Sequence, residues 1–141
     1  MAADHRKSDV VPNVVLYIDA KPGYVQQAGR VLALASRDIQ FLALSLEEAE
    51  ARLAKQELSG VRLVVIFLEN ARTDLEQATA RASNLVHYLQ RRRGQPALER
   101  WVCTKNSMAS NALLHAGCQR GFFYRPSEQD LENVVRRLTA R

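Results

Sequence analysis

The chain has 141 residues, with 20 Lys and Arg against 15 Asp and Glu for a formal net charge of +5; 47% of its residues are hydrophobic and 25% charged. This length suits one core, and the composition excludes a disordered or collagen-like chain. There is no apolar run of the roughly 18 residues that a membrane span needs. The N-terminus has no signal-peptide core, and two cysteines, Cys103 and Cys118, are too few for a disulfide scaffold or a zinc cluster. A reducing cytoplasm is the expected compartment.

The charge is uneven. Residues 1–90 hold ten Lys and Arg against eleven Asp and Glu, whereas residues 91–141 hold ten against four, so the last third carries the whole excess. Such asymmetry fits either an anionic partner or a solvated basic face. The arginines are not interleaved with aromatic residues as in single-strand binders, so direct nucleic-acid binding is not expected.

Residues 1–12 read as a flexible lead-in, and residues 13–141 as one domain. Val14-Val15-Leu16-Tyr17-Ile18 is an apolar run ending at Asp19, the pattern of a strand buried on both faces. Pro22 and Gly23 break it. Val25, Ala28, Val31, Leu32 and Ala35 then recur at helical spacing over 24–36. A second strand is predicted over 39–44. Ser45-Leu46-Glu47-Glu48 is a capping box opening a helix to about Gln56.

The segment 61–68, containing Leu63-Val64-Val65-Ile66-Phe67-Leu68, is the strongest buried-strand signal. Thr73-Asp74-Leu75-Glu76 is a second capping box, starting a helix that stops near Arg91-Arg92-Arg93-Gly94. Trp101 to Thr104 reads as a fourth strand with Trp101 at its edge. A short helix from Ser107 to His115 ends at Gly117. Gly121 to Tyr124 is a fifth strand, and Ser127 to Asp130 caps a last helix with Leu131, Val134, Val135 and Leu138 on one face.

Five strands alternating with five helices predict an α/β fold, a doubly wound five-stranded parallel sheet between two layers of helices. In such sheets the working site lies beyond the C-terminal strand ends. There the sequence places Asp19 and Ala20, Glu69 and Asn70, Thr104 and Lys105, and Arg125 with Pro126.

The stretch Ala112-Leu113-Leu114-His115-Ala116-Gly117-Cys118, then Gly121-Phe122-Phe123-Tyr124-Arg125-Pro126, then Asp130-Leu131, resembles the CheY-like receiver domain of bacterial response regulators. Tyr17-Ile18-Asp19-Ala20-Lys21-Pro22 is similar to that family's first strand with its acidic pair. The resemblance covers about residues 13–140. It implies a pocket of two acids that hold Mg²⁺, a phospho-accepting Asp after strand three, a Thr or Ser after strand four and a Lys after strand five.

Only Asp19 and Thr104 match without change. Ala20 supplies no second carboxylate, and Arg125 replaces the Lys with a larger planar fork. Strand three offers Glu69 in one register, or Phe67 if the register shifts by two, and neither is an aspartate. A Glu would displace the accepting oxygen by about 1 Å, which in-line transfer tolerates poorly. Glu69 could instead pair permanently with Arg125 or Lys105. Asp19 could be a strand-end carboxylate meeting a helix N-terminus, and Thr104 a hydroxyl satisfying backbone. Neither His87 nor His115 has a second ligand at metal spacing.

The expectation is therefore a degenerate receiver: no enzyme, no cofactor, no resident metal and no phosphate uptake. It would act by docking a protein partner or dimerising. The resemblance implies the face of helix four, strand five and helix five. That face carries Arg120, Phe122, Tyr124, Arg136 and Arg137 beside Glu128 and Asp130, charges of both signs that suit a two-fold contact. No output domain follows within the sequence, which leaves a stand-alone adaptor or the input half of a longer regulator. The alternatives are a receiver phosphorylated on a non-standard acceptor, and a small-ligand-binding doubly wound domain. The latter lacks a G-x-G-x-x-G or Walker pattern.

Overall fold

The computed structural model describes residues 13–55, 58, 60–68, 74–91 and 98–139. The expected lead-in over 1–12 lies outside them. The elements in chain order are β1 (Asn13–Ile18), α1 (Pro22–Ala35), β2 (Ile39–Leu44), α2 (Leu46–Ala54), β3 (Val61–Phe67), α3 (Leu75–Arg91), β4 (Glu99–Cys103), α4 (Ser107–Ala116), β5 (Arg120–Phe122) and α5 (Glu128–Thr139). The strands form one parallel sheet in the order β2-β1-β3-β4-β5. The doubly wound α/β fold expected from the alternation is thus the fold observed.

Strand periodicity divides the core between the two faces. Val14, Leu16, Ile18, Val64, Ile66 and Val102 join residues of α2, α3 and α4 in one cluster. Val15, Tyr17, Leu63, Val65, Phe67, Trp101 and Cys103 join residues of α1 and α5 in the other. The inner strands carry apolar residues in both phases because each face is covered by helices. β2 and β5 are the edges. β5 is short and contains Arg120, whereas β2 runs for six residues, Ile-Gln-Phe-Leu-Ala-Leu, without a charge, proline or glycine.

The helix caps follow local chemistry. Ser45 and Glu48 form the expected reciprocal box at α2, and the bonds from Ser45 hold the Glu48 carboxyl below its ordinary pKa. At α3 the cap is Asp74, whose carboxylate accepts from the Gln77 N–H at 3.3 Å; Thr73, the expected cap, lies outside the described residues. Pro22 opens α1 at its first turn, where its missing N–H costs nothing, so the Pro-Gly pair that ends the strand also begins the helix. Gly117 ends α4 at φ +133°, backbone that favours glycine.

Two expectations need correction. β5 ends at Phe122, and Phe123 and Tyr124 are exposed in a bend beyond it rather than in the strand. Trp101 is no edge residue. It is fully buried on a strand flanked by β3 and β5, with its indole N–H donating to Glu99 Oε2 at 3.1 Å.

Arg120 ties this end of the sheet to α5. Its guanidinium lies over the Trp101 and Phe122 rings, 5.2 and 4.6 Å from their centroids, and pairs with Asp130 at 3.2 Å. Asp130 also accepts from the Ser127 N–H and hydroxyl at the start of α5. Partial burial pushes the Asp130 pKa up, but the Ser127 and Arg120 bonds outweigh it and leave the carboxyl below its ordinary value. A depressed pKa adds stability above the unfolded-state value near 3.9, and this is lost as pH falls through the folded-state pKa. Asp130→Asn is therefore expected to destabilise the fold at pH 7 by about 1 kcal/mol, with the gap from the parent closing below about pH 4. Urea melts across pH 2.5–7 measure it.

Candidate functional site

The C-terminal strand ends gather the residues that the sequence singles out. Ile18 pairs with Ile66, so Phe67 stands level with Asp19, and Phe67 itself pairs with Cys103, the neighbour of Thr104. Phe67 is 2% exposed. Its ring centroid lies 5.2 Å from that of Tyr17 and 5.7 Å from that of Tyr24, and Tyr17 also meets Phe41 edge-on at 5.2 Å. Four segments thus contribute rings to one aromatic cluster. Glu69, the other residue weighed at this strand end, lies outside the described residues, as do Asn70 to Thr73.

Arg125 covers the cluster. Its guanidinium carbon stands 5.1 Å from the Tyr24 centroid, and the group donates to Gln27 Oε1. Lys21 approaches the same ring at 5.8 Å. A cation over an aromatic face is held by the ring quadrupole, so Arg125 has partners in α1. Lys105 in turn stands over Tyr124 at 4.7 Å.

Burial raises the Tyr17 phenol pKa well above its ordinary value; the nearby Cys103 thiol adds to this and Arg125 opposes it. Tyr17 is therefore neutral throughout the physiological range. Cys103 and Cys118 are both buried and not disulfide-bonded, as expected of small hydrophobic residues. Burial pushes Cys118 up to about 12, against the pull of Arg100, which keeps it an unreactive thiol.

Asp19 turns away from this centre. Its backbone adopts φ +57°, its N–H extends the ladder to Leu44, and its carboxylate accepts from the Leu46 N–H at 3.1 Å. Because β2 flanks β1 opposite β3, the carboxylate serves the N-terminus of α2 rather than the end of β3. Ala20 stands where the resemblance implies a second carboxylate, and its methyl packs against the aromatic side of the core.

Thr104 is 4% exposed and wholly engaged. Its hydroxyl donates to the Leu68 carbonyl at 2.7 Å and accepts from the Asn106 N–H at 3.1 Å, and its own N–H bonds the Phe122 carbonyl. It joins the end of β3, the end of β5 and the start of α4. Asn106 then caps α4 by accepting from the Ala109 N–H.

The residues placed on the α4-β5-α5 face divide into two groups. Arg120 and Asp130 pair with each other, and Arg137 pairs with Glu99. Phe122 is half-buried against Trp101. Tyr124, Glu128 and Arg136 are exposed, and Arg136 donates to Asn133 of its own helix.

Sequence reasoning placed Asp19 and Thr104 directly after their strands, where they lie, and Arg125 directly after strand five, which instead ends three residues earlier at Phe122; it did not name Tyr17, Tyr24 or Gln27 as site residues. The available signal was phase. Tyr17 and Phe67 share the parity of Val15 and Val65, and Tyr24 sits one turn before Ala28.

Neither a family model nor a curated protein matches the sequence. Among solved structures, the chain is similar to a CheY-like protein (tadZ) from Pseudomonas aeruginosa PAO1, with a TM-score of 0.63 and 20% identity, covering 93% of this chain and 96% of that one. It is similar to a signal receiver domain of a two-component histidine kinase from Clostridium thermocellum, with a TM-score of 0.61 and 13% identity over 93% and 100%. It also resembles a pilus assembly protein (cpaE) from Burkholderia thailandensis E264, with a TM-score of 0.55 and 12% identity over 93% and 100%. The chain therefore has the CheY-like receiver fold.

If Thr104 acts as a structural tie, Thr104→Val is expected to cost about 1–3 kcal/mol by stranding the Leu68 carbonyl and the Asn106 N–H, whereas Thr104→Ser keeps both bonds and most of the stability. Phe67→Ala is expected to cost about 3–5 kcal/mol. Denaturant melts of the three variants check both expectations.

Proposed function

We propose that this chain is a phosphorylation-independent receiver-fold signalling module that works through protein–protein contact. The observation that carries the reading is Phe67. A buried ring stands at the end of β3, level with Asp19, where the resemblance implies a phospho-accepting aspartate. The surroundings point the same way. Ala20 offers no metal-binding carboxylate, Asp19 caps α2, Thr104 is tied to backbone, and Arg125 lies on Tyr24. Mg²⁺ prefers several oxygen ligands, and the arrangement around Phe67 is aromatic and cationic instead.

On this reading the module is no enzyme and takes no cofactor. It acts in the cytoplasm, alone or joined to an output domain. No helix among the described residues is long and apolar enough to cross a membrane. The contact surface is the α4-β5-α5 face, through Tyr124, Glu128 and Arg136, with Arg120, Asp130, Phe122 and Arg137 shaping it from within their own pairs. Because both Arg120 and Arg137 have intramolecular partners, the charges this face offers a partner, whether another protein or a second copy, are those of Glu128 and Arg136, one of each sign.

The test is intact-mass spectrometry after incubation with acetyl phosphate or phosphoramidate and millimolar Mg²⁺. No gain of a phosphoryl group is expected, and Mg²⁺ alone is expected to leave Trp101 fluorescence and the melting temperature unchanged. A phosphoryl adduct lost in Glu69→Gln would establish the non-standard acceptor instead.

A further inference from the structure

The six uncharged residues of β2 form an edge that the described residues leave unpaired. A residue in a parallel ladder turns its N–H and C=O to the same neighbour, and successive residues alternate sides. The Leu44 carbonyl accepts from the Asp19 N–H, so Leu44, Leu42 and Gln40 face β1. Ile39, Phe41 and Ala43 therefore turn their backbone donors and acceptors outward. Natural sheets blunt such edges with charge, proline, bulges or short strands. β5 follows that rule, with three residues and Arg120, but β2 does not.

We propose that β2 is an interface between two copies of this chain, paired antiparallel across a two-fold axis through Phe41. The outward set is self-complementary in one register: Phe41 faces Phe41, and Ile39 faces Ala43 of the other copy. About six backbone hydrogen bonds then close the gap, two for each facing pair, and the two sheets become one. Phe41 lies on the aromatic side, against Tyr17, so its copy adds an aromatic cross-strand pair. Gly29 of α1 lies over this ring: a Cβ there would meet only Phe41, at 3.8 Å.

Charge selects a second copy as the occupant. The same register sets Arg37 opposite Ser45 of the other copy, at the start of the turn that carries Glu47. Both side chains are exposed; Arg37 is in no ion pair among the described residues, and Glu47 interacts only at longer range, with Arg81. The two-fold axis makes this Arg37–Glu47 contact twice. The interface is separate from the α4-β5-α5 face and does not depend on the phosphate reading.

Amide hydrogen exchange by NMR on the full chain, with sedimentation over 5–500 µM, tests it. The Ile39, Phe41 and Ala43 amides are expected to gain protection as concentration rises, in step with a monomer–dimer shift. Ala43→Pro removes an outward donor and no β1 bond, and is expected to weaken the dimer at least tenfold with the melting temperature of the monomer retained. Arg37→Glu is expected to weaken it likewise, with recovery in the Arg37→Glu, Glu47→Arg double variant. A chain that stays monomeric throughout overturns the proposal. So does protection of these amides independent of concentration, or a dimer indifferent to Ala43→Pro and Arg37→Glu.

Discussion

The ring of Phe67 ends the central strand of the sheet against Tyr17 and Tyr24, and the other strand-end residues take their places around it. Burying one Phe side chain is worth about 1.5–3 kcal/mol, and aromatic pairing adds about 0.5–1.5 kcal/mol for each pair. A carboxylate at the same place would be desolvated among rings. The cluster also gives Arg125 a surface to lie on. The cation thus stabilises a fixed arrangement.

A phosphorylation switch requires groups that can move: a free hydroxyl, a free cation and an exposed acid. In this chain Thr104, Arg125 and Asp19 are each bonded into the fold. The Thr104 hydroxyl both donates and accepts, joining the end of β3 to the start of α4. Asp19 uses the left-handed backbone region to aim its carboxylate at α2. Strain of this type is retained where the surrounding bonds over-determine it, and here the N–H bond to Leu44 and the carboxylate bond to Leu46 do so. The receiver fold is kept, and on the proposed reading packing takes the place of phosphate chemistry at its upper end.

The fold was legible because its signals are local. The apolar runs of β1 and β3, the Ser45 and Ser127 caps and the α5 stripe are each readable within about ten residues. The site was less so. Its cluster draws Tyr17, Tyr24, Phe41 and Phe67 from four segments, and the register that makes Phe67 level with Asp19 is set by strand pairing rather than by spacing. Glu69 and Phe67 are equivalent in sequence, two residues apart and in the same phase, so the sequence alone left both open. The charges of the α4-β5-α5 face looked like one surface, but Glu99 and Asp130 neutralise two of its arginines within the molecule, and pairings over 38 and 10 residues leave no periodic trace.

The central claim is that the strand ends form a filled, fixed aromatic centre instead of a metal-and-phosphate pocket. Beryllofluoride with Mg²⁺, which mimics a phosphorylated carboxylate, addresses it most directly when followed by amide chemical shifts of the full chain. The account predicts that the signals of Asp19, Phe67, Thr104 and Arg125 stay where they are at millimolar reagent. Saturable shifts of Thr104 and Arg125 that require both beryllofluoride and Mg²⁺ would contradict it.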